Sequence, residues 1–114
     1  MPYINLRTSA KLDETKMEEL KSALGKAITT LPGKTETYLM VDLEGGARLW
    51  LGGDNSKPLA MIDVKIFGHA KPADFSKMTA VLCDICHDKL GIDPTGVYVT
   101  YAEVENWGWN RSNF

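Results

Sequence analysis

The order of secondary structure along this chain repeats, and that repeat constrains the fold more than any other feature. Each half is predicted as strand, helix, strand, from apolar residues that alternate in the strands and recur every three or four positions in the helices. The six predicted elements are strands over 3–7, 36–43, 59–67 and 97–104 and helices over 13–31 and 72–90. Neither half can close a core alone. We therefore expect one α+β domain over 1–114, a four-stranded mixed sheet with two helices on one face.

Turn and capping residues predict where the helices begin and end. Asp13 is suited to cap the first helix, and Pro32-Gly33 ends it, because proline cannot continue a helix and glycine tolerates positive φ. Pro72 suits the first turn of the second helix, which Gly91 terminates.

Two shorter strands are also predicted. Glu44 to Ala47 indicate a turn, and Arg48 to Leu51 a short return strand after it. Trp107-Gly108-Trp109 predicts a last short strand near the end of the chain.

The predicted sheet leaves one face without helices. Strands 59–67 and 97–104 contain more apolar residues than a sheet covered on one face requires. We therefore expect the other face to be covered by further copies of the chain in an oligomer.

Composition excludes several classes of protein. The 13 basic and 15 acidic side chains give a net charge of -2, which argues against a nucleic-acid partner. The sequence has no apolar run long enough for a membrane helix, and its start lacks the layout of a signal peptide. Two cysteines build no disulfide framework. A cytoplasmic protein without membrane contact is expected.

Cys83-Asp84-Ile85-Cys86-His87 has the spacing of a covalent haem-attachment motif. The segment falls inside an amphipathic helix, where Cys86 takes a core position, and a zinc site would lack its remaining ligands. Buried, free cysteines are the expected reading, with no metal and no cofactor.

Proline at position 2 is the strongest chemical signal. Removal of Met1 would leave a secondary amine at the chain terminus, and an α-amino group has a pKa of about 7.7 to 8.0. Burial and a nearby cation would lower that pKa, so the neutral amine could act as a base.

A set of short motifs accompanies this proline in a fixed order along the whole chain. They are Met1-Pro2, Pro32-Gly33-Lys34, Tyr38, Gly52-Gly53, Phe67-Gly68, Val97-Tyr98-Val99 and Asn106-Trp107-Gly108-Trp109-Asn110, with Ser112 and Phe114 at the end. Together they resemble the tautomerase superfamily, specifically macrophage migration inhibitory factor and its microbial homologues.

The resemblance implies a homotrimer that catalyses keto-enol tautomerisation of phenylpyruvate-like α-keto acids. Pro2 would be the general base, Lys34 would hold the substrate carboxylate and keep Pro2 neutral, and Tyr98 would come from a neighbouring subunit. The Phe67 amide matches a main-chain donor position. The residues implied as walls of the substrate pocket are Tyr3, Tyr38, Trp107, Trp109 and Phe114.

Two departures from the family pattern qualify these roles. Thr100 stands where mammalian members have asparagine, which alters a polar contact. Leu59 to Ile62 replace a cysteine pair, so oxidoreductase activity is not expected.

The alternative function is a cytokine-like binding trimer that meets a protein receptor after release without a signal peptide. Hydration or dehalogenation of unsaturated acids would require arginines that Arg7, Arg48 and Arg111 do not match.

Overall fold

A computed structural model describes residues 1–114, and it has the predicted repeat of strand, helix, strand. The main elements are β1 (Pro2–Thr8), α1 (Glu14–Ala27), β2 (Met40–Glu44), β3 (Ala60–Phe67), α2 (Pro72–Leu90), β4 (Val97–Val104), β5 (Gly108–Trp109) and β6 (Ser112–Asn113). Single 3-10 turns cover Ile28–Thr30, Glu36–Tyr38 and Pro94–Gly96. The predicted α+β architecture, a mixed sheet with two helices, is confirmed.

The sheet joins the two halves of the chain through their first strands. Its order is β2-β1-β3-β4, with β1 antiparallel to β3 and the two strands of each half parallel to one another. Parallel neighbours require a long crossover, which α1 and α2 provide. The outer edges of β2 and β4 are left unpaired.

The core lies between one sheet face and the two helices. Every second residue of β1 and β3 points into it, as strand geometry requires. Its fully buried members include Ile4, Leu6, Leu20, Leu24, Ile28, Leu31, Ile62, Met78, Leu82, Cys86 and Ile92. Neither helix has a stretch long and apolar enough to span a membrane.

The predicted start of α1 and both predicted ends of α2 are confirmed, whereas α1 ends at Ala27 and a 3-10 turn over Ile28–Thr30 separates it from Pro32-Gly33. The Asp13 carboxylate accepts a hydrogen bond from the Lys16 backbone N–H at 2.7 Å, which satisfies one of the free donors in the first turn of α1. Pro72 lies in the first turn of α2, and Gly91 ends that helix with a φ of 65°.

The sheet face away from the helices carries mainly polar side chains. Asp63, Lys65 and Thr100 occupy outward positions of β3 and β4. Polar contacts link side chains on this face: Tyr3 to Asp42, Asn5 to Glu44, Arg7 to Glu44, and Thr100 to Asp63. On β3 and β4 the polar positions alternate with apolar or aromatic ones along the same face, which are Met61, Phe67, Tyr98, Ala102 and Val104. The apolar residues expected on the uncovered face of these two strands are therefore present beside the polar ones.

Two predicted strands are corrected by the structure. Residues 36–38 form a 3-10 turn before β2, because the Glu36 side chain packs against Gly25 of α1 and the Leu39 N–H donates to the Glu36 carbonyl at 3.0 Å. Arg48 to Leu51 do not form a strand; Leu51 makes one isolated bridge with Asp54. The preceding backbone is held by the end of β1, since Ala47 N–H donates to the Thr8 carbonyl at 2.9 Å.

Cys86 is fully buried, as predicted, whereas Cys83 is half-buried, and both are free. Burial, together with the neighbouring Cys83, raises the pKa of the Cys86 thiol to about 12. A thiol with so high a pKa is not a nucleophile at neutral pH, so Cys86 acts as a small apolar core residue.

We predict that Cys86→Ser lowers the free energy of unfolding by about 1 to 3 kcal/mol, because it buries a hydroxyl among apolar side chains. Urea denaturation followed by circular dichroism measures the change. Cys83→Ser is the matched control, and we expect a smaller loss because this position is partly exposed. Equal losses at the two positions would contradict the assignment of Cys86 to the core.

Candidate functional site

The start of β1 opens onto a cavity of about 600 Å³. The cavity lies between β1, the turn before β2 and the loop before β5. Its lining residues are Met1, Pro2, Tyr3, Thr37, Tyr38, Leu39, Met40, Lys65, Trp107, Gly108 and Trp109. Most of these are apolar or aromatic, so the cavity suits a small ligand that has an apolar body.

Pro2 is buried at the first position of β1, opposite Ile66 of β3. Proline has no N–H to donate, so the start of a strand is a position where it costs no ladder hydrogen bond. The Met1 carbonyl before it accepts a hydrogen bond from the Phe67 N–H at 2.9 Å. This bond fixes the chain start against the end of β3.

Lys34 reaches the same end of β3 from the loop after α1. The loop turns at Gly33, whose φ is 79°, and the Lys34 N–H donates to the Leu31 carbonyl at 3.1 Å. The Lys34 Nζ donates to the Phe67 carbonyl at 2.9 Å. The two backbone groups of Phe67 thus contact the chain start and the lysine.

The terminal amine lies in an environment that favours its neutral form. Partial burial and, to a lesser extent, the positive charge of Lys34 lower the pKa of the Met1 α-amino group below its usual value. Both causes act in the same direction, because each penalises the protonated amine.

Aromatic side chains from the chain's end cover one side of the cavity. Tyr38 and Trp109 meet edge to face, with ring centroids 5.7 Å apart. Phe114 packs on Phe67 at 5.2 Å and on Trp109 at 6.5 Å, behind the lining. The β5–β6 hairpin that presents Trp109 includes two residues with positive φ, Asn110 and Arg111.

Two of the residues named from the sequence lie far from Pro2 within one chain. Tyr98 pairs with Met61 on β3, whereas Pro2 pairs with Ile66, a separation of five strand residues or about 17 Å. Tyr98 instead lines a second, apolar cavity of about 220 Å³ beside Trp50. Thr100 donates its hydroxyl hydrogen to the Asp63 carboxylate.

The structure brings together Pro2, Tyr3, Tyr38, Trp107 and Trp109 in the cavity lining, with Lys34, Phe67 and Phe114 immediately next to them. It adds Lys65, which sequence reasoning missed. Lys65 pairs with Tyr3 across β1 and β3, so correct pairing of these strands would have located it. No three histidine, cysteine or acidic side chains lie close enough together to hold a metal ion.

A family model and several relatives match this chain over its whole length. A sequence model described as macrophage migration inhibitory factor (MIF) matches residues 1–114. Macrophage migration inhibitory factor of Mus musculus is 29% identical over 119 residues, covering 100% of this chain and 99% of that protein. A homolog from Brugia malayi is 26% identical over 116 residues, with coverages of 100% and 99%.

Solved structures of macrophage migration inhibitory factor proteins also match this chain. MIF2 of Leishmania major has a TM-score of 0.91 at 27% identity, covering 100% of this chain and 97% of that one. A macrophage migration inhibitory factor homologue from Prochlorococcus marinus has a TM-score of 0.80 at 27% identity, with coverages of 98% and 98%.

Replacing Lys34 with methionine should raise the pKa of the α-amino group, because the substitution removes a nearby positive charge that disfavours protonation. The neutral fraction at pH 7 should fall accordingly. The pH dependence of labelling by an amine-reactive reagent, followed by mass spectrometry of the N-terminal peptide, measures the pKa. Lys57→Met, which removes a lysine outside the cavity, is the control and should leave it unchanged. A lower or unchanged pKa in Lys34→Met would contradict this account.

Proposed function

The chain belongs to the macrophage migration inhibitory factor family, and from that premise we propose that it is a keto-enol tautomerase of phenylpyruvate-like α-keto acids. One observation carries the proposal: Pro2, the Lys34 ammonium group and the Phe67 backbone converge beside one aromatic cavity. These groups are a potential base, a cation and a hydrogen-bond donor. Together they meet the requirements of proton transfer next to a carbonyl group.

The reaction requires that Met1 be removed. While Met1 is attached, the Pro2 nitrogen is an amide nitrogen whose lone pair is delocalised, so it cannot accept a proton. Removal gives a secondary amine. It also frees the Phe67 N–H, which otherwise donates to the Met1 carbonyl. Loss of one residue thus supplies both a base and a donor that a substrate oxygen can use.

The base must be neutral at the working pH. Burial and the Lys34 charge lower the pKa of the Met1 α-amino group. Burial of Pro2 and the same lysine would act in the same direction on a Pro2 amine, which favours its neutral form. A general base is most effective when its pKa is near the operating pH. Lys34 therefore affects the state of the base as well as the binding of the substrate.

The proton transfer balances without any cofactor. The Pro2 nitrogen takes a proton from the carbon next to the keto group, the carbon–carbon double bond forms, and negative charge develops on the keto oxygen. The Phe67 N–H stabilises that charge. The protonated amine then gives its proton to the oxygen, and the reverse sequence returns enol to keto acid.

The substrate would lie with its ring against the aromatic wall and its carboxylate toward Lys34. One Lys34 hydrogen is used by the Phe67 carbonyl, which leaves two donors for a carboxylate. Tyr3, Tyr38 and Trp109 offer apolar faces for the ring. Trp107 also lines the cavity, and its large side chain should restrict bulky ring substituents.

The proposed site is completed by a second subunit. Proteins of this family are typically homo-oligomers, and Tyr98 cannot reach Pro2 within one chain. We therefore assign Tyr98, with Thr100 beside it, to the site of a neighbouring subunit in a homotrimer. The unpaired edges of β2 and β4 are available for such contacts.

The proposed enzyme acts in the cytoplasm on a small aromatic α-keto acid. A cytokine-like trimer, with a protein receptor after export and a vestigial pocket, is the alternative function. Turnover separates the two, because a protein that acts only by binding does not accelerate tautomerisation.

Retention of Met1 should abolish phenylpyruvate tautomerisation, since general-base catalysis contributes roughly 10² to 10⁴-fold and an amide nitrogen provides none. The test compares one preparation that carries Met1, before and after treatment with methionine aminopeptidase, with mass spectrometry to follow removal. Circular dichroism should be the same in both samples. Full activity in protein that keeps Met1 would refute Pro2 as the base.

Two measurements test the trimer: its molar mass in solution, and the activity of trimers that mix two variant chains. Light scattering should give three times 12.6 kDa, or about 38 kDa. A variant chain that keeps Met1 and a processed Tyr98→Ala chain should each have low activity alone. Unfolding and refolding the two variants together should restore part of it, because mixed trimers contain sites with a processed Pro2 from one chain and an intact Tyr98 from the next. A monomer, or mixing without recovery, would contradict the shared site.

A further inference from the structure

Lys65 is the only charged side chain that lines the cavity at the start of β1. No acidic side chain lines it. An apolar cavity with one cation at its edge favours ligands that carry a negative charge at that position.

Lys65 has no anionic partner within the chain. It takes part in none of the ion pairs, and its nearest aromatic neighbour is Tyr3, whose ring centroid lies 5.7 Å from the Lys65 Nζ. The Tyr3 hydroxyl donates to the Asp42 carboxylate at 2.8 Å, which holds the ring in place. The lysine therefore lies over a fixed aromatic ring with its ammonium hydrogens free.

The carboxylates on the same sheet face are already engaged with other donors. Asp42 accepts from Tyr3, Glu44 from Asn5, and Asp63 from Thr100. These three donors are neutral hydroxyl and amide groups, and none of the three carboxylates forms an ion pair with Lys65. Lys65 is therefore a cation without an ion-pair partner at the edge of the cavity.

The two lysines near the cavity differ in their surroundings. Lys34 donates to the Phe67 carbonyl and acts electrostatically on the terminal amine, so it lies beside the proposed reacting atoms. Lys65 pairs in register with Tyr3, the residue after Pro2, and projects from the outer sheet face. A substrate with its carboxylate at Lys34 and its ring against Tyr3 would have that ring near Lys65, whose Nζ lies 5.7 Å from the Tyr3 ring centroid.

We infer that Lys65 is a specificity-determining residue that binds a second anionic group, so that the preferred substrates are α-keto acids with a further carboxylate at the end remote from the keto group. This inference rests on the proposed tautomerase function. It narrows the substrate class from aromatic monoacids to diacids.

A pair of substrates of similar shape tests the inference in the processed trimer: 4-carboxyphenylpyruvate and 4-methylphenylpyruvate. The wild type should have a kcat/KM about tenfold higher for the charged compound, a ratio expected of one added charge-assisted contact. Higher salt should reduce the ratio, because the lysine is exposed.

Variants at position 65 separate the contribution of the lysine to this ratio from the difference in intrinsic reactivity between the two compounds. Lys65→Met should reduce the ratio severalfold, mainly through KM, while Lys65→Arg should retain most of it. Lys57→Met is the control for a general change in surface charge and should leave the ratio as in the wild type. The same ratio in the wild type and Lys65→Met would overturn the inference even though tautomerisation proceeds.

Binding of unreactive analogues keeps the test independent of turnover. Titration of tryptophan fluorescence with 4-carboxyphenylacetate and 4-methylphenylacetate should show tighter binding of the dianion, lost in Lys65→Met. If neither keto acid turns over, the proposed function fails, and the fluorescence result alone decides the role of Lys65. Equal dissociation constants for the dianion in the two proteins would then refute that role.

Discussion

Antiparallel pairing between β1 and β3 is the interaction on which both the core and the cavity depend. Within the sheet it is the only link between the two halves of the chain, and it aligns Ile4 with Val64 and Leu6 with Ile62. A slip of one residue would turn these side chains to the polar face. The same register brings the chain start to Phe67, so the packing that stabilises the fold also fixes the geometry of the site.

The positions of charged side chains, more than the net charge of the chain, determine which ligands the cavity attracts. The chain as a whole carries a charge of -2, yet the cations nearest the cavity, Lys34 and Lys65, have no carboxylate partner. Lys34 is held by a carbonyl and Lys65 lies over a ring. A small anion that enters the cavity therefore meets cations that no ion pair within the chain neutralises.

Periodicity predicted the elements that have a buried face, because burial imposes a regular spacing of apolar residues. It placed α1, α2, β3 and β4 within a few residues, and it identified Cys86 as a core position. It failed for residues 36–38, where the contact of Glu36 with Gly25 is specified by three-dimensional packing and leaves no periodic signal.

The sequence predicted those residues of the candidate site that lie in short local patterns. Pro2, Lys34 and Tyr38 belong to short local motifs, whereas Lys65 becomes relevant only through its register opposite Tyr3. Strand register depends on contacts between residues far apart in the chain, so it could not be predicted from this one sequence.

Phe67 serves the site through its backbone: its N–H contacts the Met1 carbonyl and its carbonyl contacts Lys34, while its ring packs on Phe114. Any residue except proline supplies the same two polar groups. Side-chain scanning at this position would therefore alter only the aromatic packing and would leave the polar groups undetected. Natural variation can likewise reshape the apolar wall here without touching the hydrogen bonds, so the two properties are free to evolve separately.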